Sequence, residues 1–208
     1  MHVSTRAPET AMTSTADRPV GRAEVMDAVR EAATELFAER GPDAVTVREV
    51  ADRAGVNHAL IHRHFGTKEE LVRVVLAQAV ERLAAVARDT TNTGDDIRGI
   101  VSAVRREEPA IRLLGWAILA GYPIEQVWPE YPAFQKVQTV LTSEQERSGG
   151  QGDREDPRIV VATGTAMLFG WILFRPFLDR AAGLSDIPGL DDDDVLFTAA
   201  QHLLDRAR

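Results

Sequence analysis

The stretch VREVADRAGVNHALIHRHFGTKEEL, residues 47–71, holds three of the five histidines in the chain, His58, His62 and His64, within seven residues. Its spacing is that of two short helices joined by a tight turn. Ala51 stands where one helix must approach another too closely for a larger side chain. Gly55 comes four residues later, where a positive φ is easiest for glycine. Val56 is apolar, Ile61 anchors the second segment, and Asn57 has the chemistry to cap it. These offsets describe a helix-turn-helix over residues 46–65.

A helical wheel at about 100° per residue sorts the second segment. Ile61 and Phe65 share one face with His64 at its edge, while Ala59, Leu60, His62 and Arg63 point away. A short helix anchored by two apolar residues and exposing its other face fits a major-groove probe. A plain helical hairpin inside a core would also bury the outward face, which His62 and Arg63 oppose. His58 and His62, four apart, could chelate a metal, yet no third ligand is apparent and the chain has no cysteine; no metal and no cofactor are expected. His64 reads as a packing residue.

This region resembles the DNA-binding part of TetR-family transcriptional regulators. Their helix-turn-helix typically ends in Tyr-x-His-Phe or Tyr-x-Tyr-Phe, followed by a Lys-containing segment that enters a long fourth helix; here the residues are HRHF and then GTKEEL. The match spans roughly Arg22 to Val80, and the remainder matches in helical architecture alone. It implies that His58, Ala59 and Leu60 face bases, with thymine methyl contacts for the latter two. It also implies phosphate roles for Thr46 and Lys68 at helix starts. Arg22, Val47, Asn57 and Arg63 complete the implied DNA-facing set, although Arg63 can equally be a solvated side chain. His62 stands where the family usually has a phosphate-binding tyrosine. An imidazole N–H can donate that bond while neutral, and imidazoles gain charge near pH 6.5 or so.

Moving outward, residues 1–20 are rich in Ser, Thr, Ala and Pro with no periodic apolar face, and read as a disordered tail. Helical spacing begins at Arg22 and ends before Gly41 and Pro42. After the motif, helices are expected from Lys68 to about Arg88, Asp95 to Glu107 and Pro109 to Ala120. Others follow from about Ala133 to Arg147, Pro157 to about Phe174 with a shorter continuation to Ala182, and Asp192 to Ala207. No strand alternation appears. The fold class is all-α: a helix-turn-helix domain at 21–67, then a larger effector-binding and dimerisation domain at 68–208.

Five of the twelve aromatic residues, Trp116, Tyr122, Trp128, Tyr131 and Phe134, fall within nineteen positions around a proline-broken connection. They make either the wall of an apolar pocket, as the resemblance implies, or a satellite core under a loop. Met167 and Trp171 line the same cavity or fill the core. Ala162, Ala166 and Gly170, four apart, let another helix come close. With Leu196, Ala199 and Leu203 of the last helix they form either a dimer interface across a two-fold axis or an intrachain contact. The resemblance implies the dimer.

Composition sets the outer bounds. Hydrophobic residues at 44% and charged residues at 27% suit a soluble globular protein. The uncharged run Ile159–Phe174 is shorter than the roughly 20 residues of a membrane span, so a buried helix and a cytoplasmic address are expected, with no membrane partner. Net charge is −8, but residues 1–79 carry 10 Lys+Arg against 12 Asp+Glu, so any nucleic-acid surface must be local. Lysine occurs only at positions 68 and 136, a bias of GC-rich coding that suggests a bacterial source.

An enzyme is not expected. A carboxylate-bridged metal bundle needs Glu-x-x-His pairs, and the residues three before His58, His62, His64 and His202 are Gly55, Ala59, Ile61 and Ala199. The zinc-protease and phosphate-loop patterns are missing as well. The expectation is a repressor that binds a palindromic double-stranded operator as a homodimer and is released by a small, largely apolar effector. Its rival is a helical partner-binding protein that keeps the fold without reading DNA.

Overall fold

The structure, a computed structural model, describes residues 21–92, 97–128, 130–147 and 155–207; the expected tail at 1–20 lies outside them. Ten α-helices carry these residues, and no strand occurs among them. They are α1 (Arg22–Arg40), α2 (Val47–Ala54), α3 (His58–Phe65), α4 (Lys68–Asn92), α5 (Ile97–Arg106), α6 (Glu108–Leu119), α7 (Ile124–Val127), α8 (Pro132–Arg147), α9 (Pro157–Ala182) and α10 (Asp192–Ala207).

The first three helices form a head around Val29, Ala33, Phe37, Val45, Val50 and Ile61, all essentially inaccessible to solvent. α4 joins that head to the rest. Leu71 and Val75 are buried in it, and further along Leu76, Ala79, Val80 and Leu83 belong to the same continuous cluster as Ile111, Leu113 and Leu114 of α6. The division expected at 67/68 therefore separates helices that share one core. On α4 Val74 is exposed, whereas Val72 and Leu76 are buried. α4 is covered by the head on one side and by α6 on another, which widens its buried arc.

At the seam between head and body, Gly41 ends α1 with φ 76°, and a Cβ there would lie 2.7 Å from the Trp116 indole nitrogen. Only glycine meets both conditions.

α9 departs from expectation twice. It runs unbroken to Ala182 through Pro176, where a break near Phe174 was expected. Proline has no N–H to offer the carbonyl four residues earlier, and that carbonyl, Ile172 O, accepts from Arg112 Nη2 of α6 at 3.3 Å instead. Nor is α9 a buried helix. Its most apolar 18-residue window has a mean hydropathy of 1.5, long and apolar enough to cross a bilayer, yet only 11% of that window is buried. Val160 and Ile172 face inward, while Ile159, Phe174 and Phe177 are 51%, 58% and 62% exposed.

α10 is fixed electrostatically at its start. Asp193 accepts from Ser102 Oγ at 2.6 Å and pairs with Arg105; Asp194 pairs with Arg98, and Asp192 with Arg175 and Arg105. The Ser102 hydroxyl, then Arg105 and Arg98, hold the Asp193 carboxyl below its usual range.

Candidate functional site

The motif is built by its own caps. Thr46 starts α2: its hydroxyl accepts from Glu49 N at 3.2 Å, while Thr46 N and Oγ1 both donate to Glu49 Oε2 at 2.8 Å. Those bonds from Thr46, with Arg40 at 2.9 Å, pull the Glu49 carboxyl down to about 2. Because both Thr46 donors are engaged, the groups left open at this helix start are the first-turn N–H groups of Val47 and Arg48. Gly55 takes the left-handed conformation, φ 67° and ψ 26°, and Val56 N reaches back to Ala51 O at 3.0 Å. Asn57 Oδ1 then caps α3 by accepting from Ala59 N at 2.9 Å.

Ala51 is fully buried at the crossing of α2 with its neighbours, and Ile61 and Phe65 turn into the core. His58, Ala59, His62 and Arg63 are exposed; Leu60 and His64 are half-buried. Arg48, Asp52, Val56, Asn57, His58 and Leu60 border one exposed groove between α2 and α3.

His62 is more constrained than the sequence indicates. Its Nδ1 lies 3.1 Å from Gly66 O. A carbonyl only accepts, so Nδ1 carries the proton of that bond, and Nε2 of the neutral ring is an acceptor. With Nδ1 engaged by Gly66, the expected phosphate bond from His62 would have to be made by Nε2. His58 and His62 rings meet edge to face at 6.5 Å, and no group of three His, Cys, Asp or Glu placed to hold a metal ion occurs among the described residues.

Pairing decides which cations of the head are available. Arg30, Arg40 and Arg53 are bound to Asp27, Glu49 and Glu35 at 2.6, 2.9 and 2.8 Å. Arg22, Arg48 and Arg63 have no carboxylate partner among the described residues, and Lys68 Nζ touches only the Asp43 carbonyl, at 3.5 Å. The net negative count of the N-terminal part thus hides a set of unneutralised cations. Arg48 was missed in the sequence. Its position beside a helix start and the groove could have indicated it, but the ion-pair partners that set it apart from Arg53 are tertiary.

In the body, a cavity of about 240 Å³ lies between α4, α5, α8, α9 and α10. Of the aromatic and methionine wall expected, Trp128, Phe134 and Met167 line it. Tyr131 is exposed and packs on Trp128 and Phe134 at 5.2 and 6.0 Å. Trp116 and Tyr122 stack on each other at 5.4 Å at the seam under Gly41, and Trp171 lies beneath Arg175 at 5.2 Å. These four are absent from the lining because α6 presents Trp116 to the head, and α9 turns Trp171 toward the ionic cluster. Most of the wall is aliphatic, including Leu83, Val104, Val160 and Leu168, whose spacing in sequence is that of any core residue.

The expected dimer set also divides. Leu196 is 1% exposed and Leu203 lines the cavity, so both serve the interior of this chain. Ala162 and Ala166 are exposed, and Gly170 and Ala199 half-buried. The outward row of α9, from Ile159 through Ala162 and Ala166 to Phe174 and Phe177, remains an uncovered apolar face.

Residues 29–75 match the model of the family described as bacterial regulatory proteins, tetR family. The chain is 37% identical over 171 residues to the HTH-type transcriptional repressor Rv3405c of Mycobacterium tuberculosis, covering 82% of this chain and 84% of that one. It is 34% identical over 89 residues to the HTH-type transcriptional repressor KstR2 of Rhodococcus jostii, covering 43% and 44%. In fold it is similar to the TetR-family regulator PfmR of Thermus thermophilus, with a TM-score of 0.64 at 20% identity over 85% of this chain and 97% of that one. FadR of Bacillus halodurans, a fatty acid degradation regulator, superposes with a TM-score of 0.62 at 18% identity over 86% and 93%.

Proposed function

Since the chain belongs to the TetR family of helix-turn-helix transcriptional regulators, we propose that it is a repressor that binds a palindromic operator as a homodimer and is released by an apolar effector. The observation that carries this reading is the outward face of α3. It presents His58, Ala59, His62 and Arg63 on a helix pinned from below by Ile61 and Phe65, beside arginines that have no carboxylate partner among the described residues. In this reading His58, Ala59 and Leu60 meet base edges. Arg22, Arg48, Arg63 and Lys68 meet phosphates, together with the open N–H groups of Val47 and Arg48. Asn57 holds the register of α3, and Thr46 acts through its cap. The place of action is the cytoplasm, with no membrane partner.

Dimerisation follows from the apolar face of α9. Ile159, Ala162, Ala166, Phe174 and Phe177 form a stripe that another copy covers across a two-fold axis, with Gly170 and Ala199 at its margin. Two recognition helices then sit about 34 to 36 Å apart, or a multiple of that, to meet successive major grooves. α4 links the two activities. Leu71 is in the head core and Leu83 in the cavity wall, twelve residues or about 18 Å apart on one rigid helix. An occupant that favours one tilt of α4 weakens DNA binding by its differential affinity for the two states.

The test is selection of bound sequences from random duplex DNA by the full chain at about 150 mM salt. A palindromic motif is expected. Absence of enrichment, with a related regulator succeeding alongside, would overturn the reading in favour of a helical partner-binding protein.

A further inference from the structure

Among the described residues, no titratable side chain lines the cavity. Of the residues that line it, only two carry a side-chain hydrogen-bond donor, Thr165 and Trp128. The Thr165 hydroxyl already donates to Val161 O at 2.8 Å within its own helix. Arg82, Arg105, Lys136, Arg158, His202 and Asp205 stand one or two positions in sequence from wall residues, and Arg105 is engaged with Asp192 and Asp193 in the ionic cluster at the start of α10. None of these groups lines the cavity. A carboxylate or phosphate held against this wall would give up water without meeting a cation among the lining residues, an unfavourable form of burial for an ion.

Size narrows the occupant further. A cavity of ~150 Å³ accepts benzene, so one of about 240 Å³ accommodates about ten non-hydrogen atoms in proportion. We propose that the effector is an uncharged hydrophobe of that size carrying at most one or two hydrogen-bond acceptors. This deepens, and rests on, the reading of the chain as an effector-released regulator. The wall also contains a ready means of closing the site: Gly164 lines the cavity, and a Cβ added there meets nothing within 4 Å. A larger side chain at 164 occupies space that is now open, and replacing a mid-helix glycine favours the helix.

The experiment titrates the purified full chain, without DNA, using 1-aminonaphthalene, a fluorescent reporter within that size and neutral at the assay pH. Decan-1-ol and decanoate, at a pH where the acid is ionised, are the two competitors. Decanol is expected to displace the reporter at a concentration lower than decanoate by about thirtyfold or more, because only the acid buries a charge. Gly164→Leu is expected to lose reporter and decanol binding by about tenfold or more while keeping its helical circular dichroism, and Gly164→Ala to stay within about threefold of the parent. Equal or tighter binding of decanoate overturns the proposal, as does binding of neither competitor or full decanol binding by folded Gly164→Leu. If Gly164→Leu does not fold, the comparison of competitors on the parent protein still decides. Because DNA is not present, failure of operator selection and failure of this titration are separate results.

Discussion

The two ends of α4 lie in contrasting surroundings. Around Leu71 and Val75 the head is filled to the point where Val29, Val45, Val50 and Ile61 have essentially no accessible surface, and its polarity is turned outward. Around Leu83 the body lines an apolar cavity that opens to solvent and turns an apolar row of α9 outward. A surface that reads base edges must hold a few side chains in fixed positions, and dense packing beneath α3 does that. A region that admits different occupants and a second copy needs unfilled volume and an uncovered face. Rigidity and vacancy are assigned to different ends of one helix.

The contrast breaks most directly at the core. Ile61→Ala removes buried methyl groups under α3 from a site with no slack, and is expected to cost about 2 to 5 kcal/mol. Leu168→Ala, on the cavity wall, loses fewer packing partners and is expected to cost less than about 1.5 kcal/mol. Urea denaturation of both measures the gap, and equal losses would contradict the difference in packing. At the DNA face, Arg48→Ala is expected to weaken operator binding about tenfold and to flatten its salt dependence by roughly one counterion per protomer. Arg53→Ala, whose guanidinium is held by Glu35, should change affinity less than about twofold. Similar effects of the two would show that ion pairing does not select the DNA-facing cations.

His62→Tyr sharpens the same face. A hydroxyl supplies a donor that a neutral ring bonded to Gly66 through Nδ1 does not, so operator affinity should rise about fivefold. Unchanged or weaker binding would reject the tautomer assignment. In the body, Arg112→Ala leaves the Ile172 carbonyl without its donor and breaks the pair with Glu108, for a loss of about 1 kcal/mol; a silent substitution would mean that α9 passes Pro176 without help. The smallest effect is acid dependence. The Glu49 carboxyl is depressed from 4.5 to about 2, so its contribution is full above the unfolded value and disappears as pH falls through that interval. Glu49→Gln should therefore melt below the parent at pH 7, and the difference should close as the parent is acidified toward about 2. A difference that persists there would assign the effect to shape rather than charge.

Local chemistry made the head readable. Ala51, Gly55, Asn57, Ile61 and Phe65 each have a reason within eight or ten positions of sequence, and the helices they define begin and end where those reasons place them. The body offered no such signals. Leu196 and Leu203 have the spacing of an interface, but Leu196 is buried within the chain and Leu203 lines the cavity. Trp116 and Tyr122 belong by composition to an aromatic wall, yet they pack under Gly41. Spacing identifies the apolar face of a helix without identifying its neighbour.

The sequence by itself determined an all-helical chain, its motif, the caps of that motif and the family, because each depends on propensities and contacts a few residues apart. Only the tertiary structure decided which arginines lack a carboxylate partner among the described residues, why α9 continues through Pro176 and where the cavity lies. Those outcomes require groups from distant helices: Glu35 for Arg53, Arg112 for Ile172, and five helices around one void. Ion pairs, orphaned carbonyls and voids are properties of juxtaposition, and juxtaposition exists only once the chain has packed.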